Sequence, residues 1–201
     1  MEVILNGDSQ TLDASNCANL AELVSFAEQS MDSADQSVVV AIELNGQALD
    51  PEALSALESK SLDGIEKVSI IERPAREVAH SVLGQAAEYT VKICEAIEVC
   101  VEHYRGGRSD LGGNVLADVT DSMSVLTGIT YSVSGILIEE SQTLADVQAE
   151  ILPWLEELVE AQSVEDPIRI SDTLEYEVSP RIREWGTTMR KLIDGTVLQS
   201  E

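Results

Sequence analysis

Positive charge is what this chain has least of. Its 201 residues carry 12 Lys and Arg against 37 Asp and Glu, a formal net charge of −25. A field of that sign repels phosphate backbones, so direct nucleic-acid binding would need a local basic patch. The sequence offers none. Between Arg108 and Arg169 lie sixty residues without a Lys or Arg, and twelve of them are Asp or Glu. Adsorption to an anionic membrane surface is disfavoured on the same ground.

Aromatic residues are also scarce, at 3%. The core must therefore be aliphatic, with Trp154 and Trp185 as isolated large side chains. Long apolar runs are missing: none approaches the ~18 residues of a membrane span. The start, Met1-Glu2-Val3, lacks the basic and apolar regions of a secretory signal, so cytoplasmic residence is the default expectation. Cysteine is sparse too. Three residues, Cys17, Cys94 and Cys100, cannot all pair, and the last two are roughly 9 Å apart in rise on one predicted helix. Three reduced thiols are expected. The hydrophobic fraction of 44% is that of a folded protein, so the acidity does not signal disorder.

Residues 1–74 read as a small α/β unit. Val3-Ile4-Leu5 is a strand running into an Asn6-Gly7 turn, with Gln10-Thr11-Leu12 as its return. Leu20, Leu23, Val24 and Ala27 then share one helical face, capped by Asn19 or Asn16. Val38–Leu44 is the strongest strand signal, and its β-branched run suits a central position. Asn45-Gly46 turns it back toward Gln47-Ala48-Leu49. Pro51 opens a short helix through Leu54 and Leu57. Lys67–Ile71 is a closing strand, ended near Pro74, which cannot donate to a ladder.

This order resembles the ubiquitin-like β-grasp fold. The resemblance lies in Val3–Gly7, Val40–Leu49 and Val68–Ile71, covers about a third of the chain, and rests on order and spacing. Ubiquitin-like modifiers act through an exposed diglycine tail. Here the closing strand continues through Glu72-Arg73-Pro74-Ala75, and Gly106-Gly107 lies in mid-chain. What the resemblance implies is therefore the fold and an interaction surface on the sheet.

From Ala75 the apolar period is helical. Val78, Val82, Ala86, Tyr89, Ile93, Ile97, Cys100 and Tyr104 mark a first long helix, ended by Gly106-Gly107. Leu111, Val115, Val119, Met123, Leu126, Ile129, Val133 and Leu137 mark a second, with Asp110 as candidate cap. A third, capped by Thr143 with Asp146, runs through Leu144, Val147, Ile151, Leu155 and Leu158, and Pro153 should kink or break it. Asp166-Pro167 starts a fourth, striped by Ile170, Leu174, Val178, Ile182, Trp185, Met189 and Leu192 and bent at Pro180. The fold class expected is α+β: a β-grasp domain over 1–74 and an antiparallel bundle of about four helices over 75–201. The first two helices, roughly 45 Å long, exceed the others, so either they bend or their spare apolar surface meets the β-grasp unit or a second copy; a homodimer through the helices is the favoured expectation.

The chemistry-bearing residues form no complete set. Glu77-x-x-His80 is one half of a di-iron pattern, but His103 lacks the matching Glu, so no metal site is assigned. Cys100 and His103, one turn apart, are a weak reactive-pair candidate. Gly106–Gly113 lacks the Gly-Lys-Ser/Thr step of a phosphate loop and reads as a hairpin. Catalytic residues and cofactors are therefore assigned to none. Trp154, Tyr176 and Trp185 are interaction-anchor candidates.

The leading functional reading is a non-enzymatic interaction or adaptor protein whose acidity favours a basic partner. The second is an acidic mimic of nucleic acid acting on a basic protein. The third is an enzyme with an unrecognised site between the two domains. Adaptation to a salty environment would explain the acidity without any partner.

Overall fold

The computed structural model describes residues 1–10, 17–30, 37–50, 57 and 60–197. It is α+β, and the chain divides into two compact units, Met1–Val78 and Ala79–Glu201.

In the first unit the strands are β1 (Glu2–Leu5), β2 (Asp8–Gln10), β3 (Ser37–Leu44), β4 (Gln47–Ala48) and β5 (Lys67–Pro74), with α1 (Leu20–Ser30) between β2 and β3. They form one sheet in the order β2-β1-β5-β3-β4. β1 and β5 are parallel, whereas β2, β3 and β4 each pair antiparallel with a neighbour. The sequence of elements, strand–turn–strand, helix, strand–turn–short strand and closing strand, is the one read from the sequence. Strand alternation puts Val3, Leu5, Ile42, Val68 and Ile70 on one face, buried with Leu20, Leu23 and Val24. β5 is the middle strand. β3, expected to be central, lies between β5 and a β4 of only two residues, and its Val40, at a register irregularity in the pairing with β5, is exposed.

Both Asn-Gly turns follow from their residues. Asn6 and Gly7 have φ of 51° and 92°, and Asn45 and Gly46 have 50° and 81°. Two successive positive φ values give the tight hairpin turn that matches strand twist, and Asn-Gly adopts it most cheaply. The Asn45 carboxamide oxygen also accepts from the backbone N–H of Glu66 and Lys67, at 2.9 and 3.0 Å. Asn19 caps α1 by accepting from Glu22 N at 2.9 Å. The expected strand residues Thr11 and Leu12, the alternative cap Asn16, and the helix start at Pro51–Leu54 lie outside the described residues.

The remaining elements are α2 (Ala75–Arg105), α3 (Ser109–Ser134), α4 (Ser141–Ala149), α5 (Leu152–Ser163), α6 (Pro167–Asp172), a π-helical turn (Thr173–Val178) and α7 (Ser179–Val197). The second unit's core gathers Leu83, Ile93, Ile97, Leu126, Leu137, Leu144, Ile151, Leu174, Ile182 and Trp185 from these helices. Among the described residues no helix is long and apolar enough to cross a membrane.

Several boundaries differ from expectation for local reasons. Pro153 does break the third segment: α4 ends at Ala149, and α5 carries the proline in its first turn, where no N–H is needed. Thr143 and Asp146 do not cap α4, because the helix already starts at Ser141; Asp146 instead accepts from Gln142 Nε2 at 2.7 Å. Asp110 does not cap α3 either. Arg108 is the capping position, and Asp110 sits in the first turn, where a carboxylate complements the helix dipole. Leu111, placed on the apolar stripe, is exposed. Asp166 caps α6 as expected, accepting from Ile168 N and Arg169 N.

Pro180 is accommodated by the turn before it. A proline inside an α-helix has no N–H to give and presses its ring on the carbonyl four residues back. Here the preceding turn widens to π, with Ser179 N donating to Leu174 O. Arg181 Nη1 donates to the Glu177 carbonyl at 2.7 Å, supplying that acceptor from a side chain. α6, the π turn and α7 thus form one helical run over 167–197, which matches the 31-residue α2. The fourth segment is therefore not shorter than α2, contrary to the expectation from the sequence.

Candidate functional site

The second unit has a groove of 790 Å³ between the last turns of α2 and the π turn with the start of α7. Its size suits a bound segment or a small ligand. Ile97 and Val101 supply an apolar strip, while Glu98, Glu102, Arg105, Arg108, Glu175 and Arg183 converge on it. Three of the eight arginines of an acidic chain are gathered here.

Most of that charge is paired within the groove. Arg105 Nη2 donates to Asp172 Oδ1 at 3.0 Å and to Glu175 Oε2 at 2.5 Å. Its guanidinium also lies 5.9 Å from the centroid of the Tyr176 ring. The hydrogen bond from Arg105 holds the Glu175 carboxyl below the usual carboxylate range. Arg183 Nη2 donates to Glu98 Oε1 at 2.9 Å. These contacts are largely exposed, so each contributes little to stability and serves mainly to orient side chains. The π turn places Glu175 and Tyr176 around Arg105. Such turns recur at functional sites.

The reactive-pair candidate does not form. Cys100 is fully buried, and its Sγ donates to Gly112 O at 3.3 Å rather than meeting His103. Burial pushes its thiol up to about 11, the opposite of what a nucleophile needs. Cys94 is raised as well, mainly by desolvation, and its Sγ donates to Ser179 O at 3.6 Å. All three cysteines are free thiols. His103 is half-buried, and its Nδ1 makes no hydrogen bond. Among the described residues no three His, Cys, Asp or Glu side chains are grouped so as to hold a metal ion.

The three anchor candidates have different fates. Trp185 is 1% exposed in the heart of the core, so it cannot anchor a partner; it is there because it continues the Leu174–Val178–Ile182 stripe. Trp154 is half-buried, with the Arg181 guanidinium 4.7 Å from its ring centroid. Tyr176 is 60% exposed, with the Arg105 guanidinium over its ring. The sequence reading missed a second surface. Leu152 and Val159 on α5, Val164 in the turn after it, and Ile168 on α6 are 55%, 65%, 61% and 70% exposed. The available signal was their position off the Leu155–Leu158 stripe.

A family model described as a domain of unknown function, DUF8042, matches residues 81–188, more than half of the chain and all within the helical unit. An uncharacterized protein of Treponema pallidum (strain Nichols) is 24% identical over 199 residues, which cover 92% of this chain and 94% of that protein. No solved structure matches. With the helices from Ser81 through Thr188 accounted for by that match, the chain belongs to the DUF8042 family.

Proposed function

We propose that the protein is a non-enzymatic interaction protein that docks another protein on its helical unit. One observation carries this: the large apolar side chains Leu152, Val159, Val164 and Ile168, all more than half exposed, fall within seventeen residues. Singly exposed apolar residues are ordinary, but a local concentration marks a surface with a partner. Buried, protonated thiols and orienting ion pairs in the groove agree with a binding role. The acidity of the chain favours a basic partner and fast encounter at low salt. The test is affinity capture from source-cell extract with the full chain as bait, at low and moderate salt. A specific protein retained at both supports the reading, and none retained at either overturns it.

A further inference from the structure

Among the described residues the outer face of α5 is left exposed, and its make-up says what would fit it. Leu152 and Val159 are seven residues apart, which puts them on one side of the helix about 10 Å apart. Glu156 stands between them, exposed, and Leu158 and Ala161 are buried on the other side. Val164 and exposed Glu165 extend the surface past the end of the helix, and exposed Glu150 precedes it. Glu157 and Glu160 are tied to Arg169, whereas Glu150, Glu156 and Glu165 have no cationic side chain against them among the described residues.

The face is thus two apolar residues at heptad spacing, bordered by carboxylates, in a stretch of chain with no Lys or Arg between Arg108 and Arg169. A second copy would bring the same carboxylates against themselves, because a two-fold interface opposes like with like. A basic helix meets both features: its apolar residues cover Leu152 and Val159, and its flanking cations meet the exposed carboxylates. We propose that the outer face of α5, with the turn after it, docks a basic amphipathic helix of a partner protein. This rests on the interaction reading above and adds the surface and the partner's chemistry.

The probe is a fluorescent Leu/Lys peptide of about eighteen residues with its leucines on one helical face. A same-composition peptide with the leucines scattered is its control. Binding to the full chain is read by anisotropy from about 50 to about 300 mM salt. The expected result is a preference of about tenfold or more for the amphipathic peptide, and a similar loss in L152S/V159S. Both substituted side chains are exposed, so folding, checked by circular dichroism, is preserved. Glu156→Lys should weaken binding more than Glu95→Lys on α2, which changes the net charge equally.

Equal binding of the two peptides, or no effect of L152S/V159S, overturns the proposal in favour of general charge attraction. Self-association of the wild type that L152S/V159S abolishes overturns it in favour of a second copy. A protein captured from extract equally by wild type and L152S/V159S leaves the interaction reading standing and removes this surface from it.

Discussion

Gly186 of α7 rests on Thr90 of α2 so closely that a Cβ at position 186 would overlap the Thr90 hydroxyl. The hydroxyl is committed, donating to Ala87 O at 2.8 Å, and Thr90 is buried. Gly186→Ala should therefore destabilise by about 1–3 kcal/mol, outweighing the ~1 kcal/mol that alanine gains in a helix interior. Urea unfolding measures it. In a Thr90→Ala background the same change should cost less, and equal costs in both backgrounds would place the strain elsewhere.

Neighbouring glycines in α3 should respond in opposite ways. A Cβ at Gly112 would stand 2.9 Å from Tyr104 ring atoms, whereas one at Gly113 would meet only the Tyr104 hydroxyl, at 3.9 Å. Gly112→Ala should lower stability by about 1–3 kcal/mol, and Gly113→Ala should raise it by up to ~1 kcal/mol. Thermal melts of the two variants decide this, and a gain from Gly112→Ala would show that the two helices can part at no cost.

The buried thiol of Cys100 links stability to alkaline pH. Its folded value of about 11 lies above the ordinary value near 9, so the folded state holds that proton more tightly. The stabilisation is complete below pH 9 and is lost as pH rises toward 11. Unfolding free energy should fall more steeply across that window in the wild type than in Cys100→Ala. Parallel curves would remove the linkage. Thiol labelling at neutral pH should be slow at Cys94 and Cys100 until the chain unfolds.

The two tryptophans should separate cleanly in fluorescence. Trp185 is buried and Trp154 half-buried beneath Arg181. Acrylamide should quench one component readily, and Trp154→Phe should abolish that component alone. Trp185→Ala should cost about 3–5 kcal/mol. A single quenching component in the wild type would contradict the placement.

What the sequence announced was local. Asn6-Gly7 and Asn45-Gly46 dictate their hairpins because positive φ is cheap there, and Asp166-Pro167 sets a helix start through its own hydrogen bonds. Pro153 likewise separates two helices because its ring and missing N–H are tolerated only in a first turn there. What it concealed depends on residues far apart in the chain. Arg105 meets Asp172 and Glu175 across 67 and 70 residues, and no spacing rule reaches that far. The caps at Asp110 and Thr143 failed because helix ends are set by tertiary packing as well as by the first polar residue available. Trp185 was an anchor candidate as a large aromatic, yet its place on the Leu174–Val178–Ile182 stripe already pointed to the core. The α5 surface was hidden differently: attention to the apolar stripe passes over apolar residues that lie outside it.

The π turn also settles a question of helical phase. Ile170, Leu174, Val178 and Ile182 follow one another at four-residue steps, and all are buried. On an α-helix each such step overshoots a full turn by ~40°, so three would swing the apolar side by ~120°. The wider turn at Thr173–Val178 absorbs that drift and hands Trp185 and Met189 on in phase. The segment therefore holds a residue more than a plain α-helix needs to cover the same path. A relative lacking both Pro180 and one residue of this segment can thread that path unbroken, so a one-residue gap here would leave the bundle intact. The same gap within α2 would turn everything after it by ~100°.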